Sequence, residues 1–358
     1  MQLGLLGLPQ AGKKTLLRLL TRVDVRTAAP AAGGIVPGIA AVRDPRMERL
    51  TAMYRPKKVT PATIEYLLMP DLTKDSAKNR DLLRALQLVD ALGAVVRAFA
   101  DDTVFHLEGS VDPLRDLGTL EAELLLHDLL FVEKRLERIA KETGGRSGGP
   151  DRAKERDLLV RLQAHLDEGL PLRTLELSAE ERRLLSGAPL LTPKPLLVIL
   201  NVGEDAVRDG HLADAVRQRW SGHRLHIVQL SAKIEEELSQ LEDPAEREAF
   251  LRELGIAESA IDLLTRVSYE ALGLVSYFTV GPDEVRAWTI RRGASAAEAG
   301  GVIHSDIERG FIRAERMAYE DLVSLGSEQA VAGAGKAQLK GRDYLVEDGD
   351  ILTFRFSV

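Results

Sequence analysis

Gly7-Leu8-Pro9-Gln10-Ala11-Gly12-Lys13-Lys14-Thr15 follows an apolar run at residues 3–6 and precedes a helical pattern at residues 16–20. A strand, a glycine loop and a helix in this order are the setting in which a loop binds phosphate. The backbone N–H groups of such a loop and of the first helical turn form a cradle for an anion. Lys13 stands where a lysine reaches the outer phosphates of a nucleotide. We predict a phosphate-binding loop; the simpler alternative is a glycine turn with a solvated lysine.

The residue after that lysine departs from the motif. In phosphate-binding loops a serine or threonine hydroxyl at this position holds Mg²⁺, and here it is replaced by Lys14. Thr15 carries a hydroxyl, but one residue too late. Asp71 follows a predicted strand at residues 63–69, a position from which a carboxylate can hold Mg²⁺ through water. A cap on a turn or helix accounts for Asp71 equally well, and both interpretations stay open.

Composition limits the class of protein. A chain of 358 residues is long enough for two or three domains, and the absence of cysteine excludes disulfides and thiolate metal sites. No leader sequence or membrane-spanning run is recognisable, so we expect a cytoplasmic protein without membrane contact. The net charge of −7 argues against general binding of polyanions, although residues 1–60 carry eleven Lys or Arg and only three Asp or Glu. That local excess suits phosphate or RNA, and a solvated face equally well.

The order of patterns predicts the architecture. Strands at residues 38–42, 63–69, 92–99, 196–200 and 226–230 alternate with helical patterns, which include residues 45–54 and 79–89. This alternation is typical of an α/β fold with a doubly wound parallel sheet. Two long helical patterns, at residues 113–143 and 151–166, flank a glycine-rich tip and predict an inserted antiparallel hairpin. Strands at residues 275–280, 285–290, 311–318, 342–346 and 351–356 then predict a small α+β domain.

Several motifs together resemble the YchF (Obg-like ATPase) family over essentially the whole chain. The first part is similar in its glycine loop, in Asp44-Pro45-Arg46 and in residues 55–63, and the insert is similar at residues 111–116 and 132–138. Asn201-x-x-Glu204 resembles the family's base-reading motif. The most specific stretch is Glu284-Val285-Arg286-Ala287-Trp288-Thr289-Ile290-Arg291-Arg292-Gly293, continued at residues 301–304, 310–315 and 348–350.

The resemblance implies a fold and a set of ligands. It implies a P-loop G-domain at residues 1–116 and 194–277, a coiled-coil insert at 117–193, and a TGS-like, ubiquitin-like β-grasp domain at 278–358. ATP or GTP is the implied ligand, and the ribosome, RNA or a protein reached through the hairpin and TGS domain is the implied partner. The residues expected at the nucleotide are Gly7, Pro9, Gln10, Ala11, Gly12, Lys13, Lys14, Thr15, Asn201, Val202, Glu204, Ser231 and Ala232.

The departures from the family pattern concern Mg²⁺ and the terminal phosphate. Lys14 replaces the Mg²⁺-binding hydroxyl, residues 28–36 lack the first switch threonine, and Asp71-Leu72-Thr73-Lys74 lacks the second switch glycine. Asp71 is therefore the one metal ligand predicted, Mg²⁺ is a doubtful cofactor, and no catalytic residue is assigned. Two functions remain: a translation-associated nucleotide-binding protein with weak or no hydrolysis, and a pseudo-ATPase scaffold that binds partners through its hairpin and TGS domain.

Overall fold

The structure is a computed structural model that describes residues 1–25, 27–73, 76–142 and 150–357. It divides into two compact units. The first comprises residues 1–38 and 65–263, and the second comprises residues 39–64 and 264–358. The glycine-rich stretch predicted as the hairpin tip, residues 144–149, lies outside the described residues. Among the helices that the structure describes, none has both the length and the apolar character needed to cross a membrane.

The elements follow one another in the predicted alternation. The first part of the chain forms β1 (Gln2–Leu6), α1 (Lys13–Thr21), β2 (Val36–Ala41), α2 (Pro45–Tyr54), β3 (Lys58–Thr60), β4 (Thr63–Leu68), α3 (Ser76–Gln87) and β5 (Ala91–Ala98). The middle part forms α4 (Pro113–Glu142), α5 (Pro150–Asp167), α6 (Ala179–Leu184), β6 (Leu196–Val202), α7 (His211–Arg219), β7 (Leu225–Leu230), α8 (Ala232–Gln240) and α9 (Pro244–Glu253). The last part forms α10 (Ala260–Ala271), β8 (Leu274–Thr279), β9 (Glu284–Arg291), α11 (Ala296–Ile303), α12 (Ser305–Arg309), β10 (Phe311–Ala318), α13 (Tyr319–Leu325), α14 (Glu328–Gly333), β11 (Gln338–Lys340) and β12 (Asp350–Phe356).

The sheet of the first unit has the order β2-β4-β1-β5-β6-β7. The pairs β4–β1, β1–β5, β5–β6 and β6–β7 are parallel, which confirms the predicted parallel sheet. Alternate residues of β5 and β6 pack in one core cluster with residues of α3, α4 and α7. The residues between them, such as Val95 and Ile199, are also fully buried. Both faces of the sheet are therefore covered, as expected for parallel strands with apolar runs.

The two predicted helices of the insert are present as α4 and α5. A separate apolar cluster joins them, to which Val132 and Ile139 of α4 and Leu158, Leu159 and Leu162 of α5 contribute. Arg135 of α4 and Glu155 of α5 form an ion pair of 2.6 Å beside that cluster. The hairpin therefore has a core of its own, distinct from the core beneath the sheet. Strands β5 and β6 pair directly, although residues 99–195 separate them.

The sheet of the second unit has the order β11-β10-β12-β8-β9-β3. One face packs with α11 around Tyr277, Ile290 and Leu352. The strand predicted at residues 342–346 is wrong: Leu345 makes a single bridge to Ser295, and residues 338–340 form the edge strand β11 instead. Strand β3 pairs in parallel with β9, from Lys58 opposite Glu284 to Thr60 opposite Arg286. A segment that precedes the insert by more than fifty residues thus completes the C-terminal sheet.

Arg46 ties that early segment to the rest of the second unit. Its helix, α2, starts where Asp44 accepts a hydrogen bond from the Arg46 backbone N–H and Pro45 takes the first helical position. The Arg46 guanidinium donates to both carboxylate oxygens of Asp44 and to Asp348, at 2.8–3.3 Å. The same guanidinium lies 5.1 Å from the centre of the Phe278 ring.

We expect Arg46→Ala to lower the free energy of unfolding by about 2 kcal/mol, because half-buried Asp44 and exposed Asp348 lose a shared partner and the Phe278 ring loses its cation. Urea denaturation followed by circular dichroism measures this change. Arg49→Ala, at an exposed position of the same helix, is the control and should change stability by about 0.5 kcal/mol or less. Equal losses in the two variants would contradict the role given to Arg46.

Candidate nucleotide site

The loop between β1 and α1 approaches its surroundings so closely that two positions require glycine. A Cβ atom on Gly7 would lie 2.4 Å from the carbonyl oxygen of Val95, and one on Gly12 would lie 2.3 Å from the side-chain nitrogen of Asn201. Both glycines also have positive φ, 153° and 98°. Gln10, between them, has φ 63°, which is uncommon for a residue with a side chain. This backbone leaves the first turn of α1 without a capping side chain, because its N-cap residue is Gly12.

Lys13 lies inside this loop rather than in solvent. Its side chain is 5% exposed, and Nζ donates to the carbonyl oxygens of Gly7 (2.8 Å) and Leu8 (2.7 Å). Nζ also forms an ion pair of 2.6 Å with Asp71, whose side chain is 45% exposed. Burial lowers the pKa of Lys13, while the Asp71 carboxylate acts in the opposite direction. The three N–H groups of one ammonium thus have three acceptors, two on the loop and one at the end of β4.

A cavity of about 420 Å³ opens over the loop, and its wall brings together Pro9, Gln10, Ala11, Gly12, Lys13, Lys14, Thr15 and Asp71. Gly7 is not part of this wall, since it lies beneath the loop against Val95. Lys14 is exposed, and Thr15 is half-buried one residue further along α1.

These residues do not fit Mg²⁺. Lys14 offers only N–H donors at the position where an oxygen ligand is needed. Asp71 is already bonded to Lys13. Across the described residues, no group of three or more His, Cys, Asp or Glu side chains is arranged to hold a metal ion. The loop and the uncapped first turn of α1 suit phosphate, because the N–H groups of a glycine loop and of a helix N-terminus bind anions.

A second cavity, of about 580 Å³, adjoins the loop on the side of β6 and β7. Its wall brings together the remaining predicted residues, Asn201, Val202, Glu204, Ser231 and Ala232, with Gln10, Gly12 and Thr15 of the loop. The carboxyl ends of parallel strands meet at this edge, which is where open α/β sheets bind ligands. The proximity of these residues is thus consistent with the sequence prediction. Their roles in binding a ligand stay predictions.

Asn201 bonds to the backbone of one residue in the wall of each cavity. Its buried side chain donates to the carbonyl oxygen of Ala11 (3.1 Å) and accepts from the N–H of Ala232 (3.0 Å). Both ends of the amide are therefore in use within the protein. Glu204 forms an ion pair with Lys233, which raises the pKa of that lysine. Ser231 caps α8 by accepting from the Ile234 N–H.

Arg97, which the sequence analysis did not single out, shapes the wall of the second cavity. It is 3% exposed at the end of β5, and its guanidinium donates to the carbonyl oxygens of Phe99, Asp101, Val104 and Phe105 at 3.0–3.2 Å. It also lies 4.6 Å from the centre of the Phe99 ring. Phe99, Asp101 and Val104 line the cavity. The available signal was a single arginine within an otherwise apolar strand.

Asn79 was also missed, and it holds the chain that follows Asp71. Its side chain accepts from the N–H of Thr73 (3.0 Å) and donates to the carbonyl oxygen of the same residue (3.0 Å). The same amide nitrogen donates to Glu123 of α4 at 3.1 Å. Asparagine near the start of a helix has many roles, so the sequence offered no specific signal for this clamp.

Comparisons with known proteins agree with this geometry. Residues 274–357 match the family model YchF-GTPase_C, described as a protein of unknown function (DUF933). The chain is 40% identical over 364 residues to the ribosome-binding ATPase YchF of Bacillus subtilis (strain 168), with 99% of each chain covered. It is 35% identical to Obg-like ATPase 1 of Oryza sativa subsp. japonica, with 100% of this chain and 92% of the relative covered.

A solved structure extends the likeness to three dimensions. The YchF GTPase of Schizosaccharomyces pombe superimposes with a TM-score of 0.87 at 30% identity, covering 99% of this chain and 97% of the other. Since relatives more than 30% identical match this sequence over nearly its whole length, the chain belongs to the YchF family.

Proposed function

We propose that this protein binds ATP, or GTP, with weak or no hydrolysis, and that it works in association with the ribosome. The observation that carries the proposal is the intact phosphate cradle around Lys13, with Lys14 at the position of the Mg²⁺ ligand. The nucleotide phosphates would rest on the backbone N–H groups from Gln10 to Thr15. The base would enter the cavity beside Asn201, Val202, Glu204, Ser231 and Ala232.

The base side suits a nucleotide without strict selection for guanine. GTP-specific proteins read guanine with a carboxylate that accepts from two ring N–H donors. Here the corresponding Glu204 is paired with Lys233, so its charge is partly satisfied within the protein. The relatives from Bacillus subtilis and Oryza sativa are named ATPases. ATP is therefore the first ligand to test and GTP the second.

Weak turnover follows from the missing metal site. In phosphoryl transfer, Mg²⁺ bridges the outer phosphates and neutralises the charge that develops in the transition state. The ammonium of Lys14 repels a divalent cation by about 4 kcal/mol for each pair of unit charges 4 Å apart, at an effective dielectric constant of about 20. It still adds a positive charge that attracts phosphate. We infer nucleotide binding that is insensitive to Mg²⁺.

The ribosome is proposed as partner because the Bacillus subtilis relative is named a ribosome-binding ATPase. We assign the contacts to the coiled-coil insert, residues 117–193, and to the TGS-like domain, residues 278–358. The hairpin has an apolar core of its own, so the residues around that core pack without the sheet. Ribosome association would place the protein in the cytoplasm. The alternative, a pseudo-ATPase scaffold, keeps these contacts and dispenses with turnover.

Lys14→Ser tests the metal argument. For the unsubstituted protein, calorimetry should give an ATP affinity in Mg²⁺ that is within about twofold of that in EDTA. Lys14→Ser should bind ATP about tenfold more tightly in Mg²⁺ than in EDTA. A chain that already binds MgATP far more tightly than free ATP, or hydrolyses it at about 1 s⁻¹ or faster, is incompatible with the proposal. If the variant stays insensitive to Mg²⁺, the missing switch threonine is the controlling loss.

Arg97→Lys tests the base cavity. Lysine keeps the charge but cannot reach four carbonyl groups with a planar fork, so the loop at residues 99–105 should lose its fixed shape. We expect ATP affinity to fall about tenfold while the affinity for inorganic tripolyphosphate changes less than about twofold. Arg219→Lys is the control, because Arg219 also lies over an aromatic ring, that of Trp220, but at the exposed end of α7. Equal losses for ATP and tripolyphosphate would show a general structural defect instead.

Shortening the hairpin separates the two binding functions. Replacing residues 136–155 with a short Gly-Ser linker should leave ATP affinity within about twofold, because the nucleotide cavities are built from the sheet and its loops. Co-sedimentation with ribosomes should fall about tenfold, since the projecting surface is removed. A folded variant that retains full ribosome binding would rule out residues 136–155 as the contact.

A further inference from the structure

The pairing of Lys13 with Asp71 bears on which phosphate chain the loop can accept. An ammonium group has three N–H donors, and those of Lys13 are directed at Gly7 O (2.8 Å), Leu8 O (2.7 Å) and Asp71 Oδ1 (2.6 Å). Two of these acceptors belong to the loop backbone and stay in place as long as the loop keeps its shape. The third is the only one that a phosphate could replace.

The backbone on both sides of Asp71 is held in place. The N–H of Met69 donates to Leu5 O (3.0 Å), and that of Leu72 donates to Gly7 O (3.2 Å). Thr73 is bonded through both backbone groups to Asn79, which is itself bonded to Glu123 of α4. Rotation of the half-exposed side chain is left as the main freedom of the carboxylate.

In a site that uses a divalent cation, the ion stands between the strand-end carboxylate and the outer phosphates. Lys14 occupies the anchor of that ion here, so no such separation is provided. A terminal phosphate that reached Lys13 would lie beside the Asp71 carboxylate, negative charge against negative charge. A shorter phosphate chain, held by the loop amides and the first turn of α1, leaves the Lys13–Asp71 pair intact.

We propose that the site selects nucleoside diphosphates over nucleoside triphosphates, with the Asp71 carboxylate filling the place of the third phosphate on Lys13. The inference rests on the proposed nucleotide site and names the ligand class that it takes. It assigns Asp71 to selection by charge, in place of the metal-binding role suggested by the sequence. It gives a second reason to expect weak hydrolysis of nucleoside triphosphates, because the preferred ligand lacks the third phosphate.

Calorimetry with ADP and with ATP, both in EDTA, tests the proposal on the full-length protein. We expect the original chain to bind ADP about tenfold more tightly than ATP. Asp71→Asn should raise ATP affinity about fivefold or more and leave ADP affinity within about twofold, so that the preference largely disappears. Asp71→Ser, which removes the carboxylate and its bulk, should have the same effect, and melting temperatures confirm that both variants are folded.

Asp214→Asn is the matched control, because it removes one carboxylate from an exposed position of α7 in the same compact unit. It should leave the ratio of the ADP and ATP affinities unchanged. Equal or tighter binding of ATP by the original chain overturns the inference and leaves the proposed function standing. An unchanged ratio in both folded Asp71 variants also overturns it. Failure of the original chain to bind either nucleotide overturns the proposed function, and the inference with it.

Discussion

The buried ammonium of Lys13 is the constraint on which the nucleotide site depends. A charge that is 5% exposed must be fully hydrogen-bonded, and here the acceptors come from the loop after β1 and from Asp71 at the end of β4. Meeting that demand fixes the path of the loop, which in turn presses Gly7 against Val95 and Gly12 against Asn201. Glycine is required at both positions because of these close contacts and positive φ values. The glycines of the motif and the buried Lys13 thus belong to one arrangement of the loop.

Asn201 extends the same constraint across the insert. Residues 99–195 intervene between β5 and β6, yet the two strands pair directly, and one amide then bridges Ala11 and Ala232. Neither bond depends on the side chains of the partners, because both involve backbone groups. Arg97 also bonds to backbone groups. Its guanidinium donates to four carbonyl oxygens of residues 99–105, a loop without regular secondary structure.

The sequence predicted correctly the features that depend on neighbouring residues. The helix at residues 45–54 is correct to the residue because Asp44 and Pro45 form a start signal that needs nothing else. The apolar strands and the glycine loop were equally readable. The incorrect strand at residues 342–346, the missed β11, and the pairing of β3 with β9 all depend on partners far away in the chain. Arg97 and Asn79 belong to this second class, since their importance lies in distant carbonyl and amide groups that no window of sequence contains.

The departures from the family motifs fall on one side of the site. Lys14 and Asp71 line the first cavity, while Asn201 lines the second. Without a hydroxyl at residue 14, no Mg²⁺ is held between the Asp71 carboxylate and a third phosphate. The two negative groups would then repel each other. Without the cation, Asp71 no longer acts as a metal ligand and instead competes with the phosphate for Lys13. The same residue can thus change its role without moving, because the charge of its neighbour has changed.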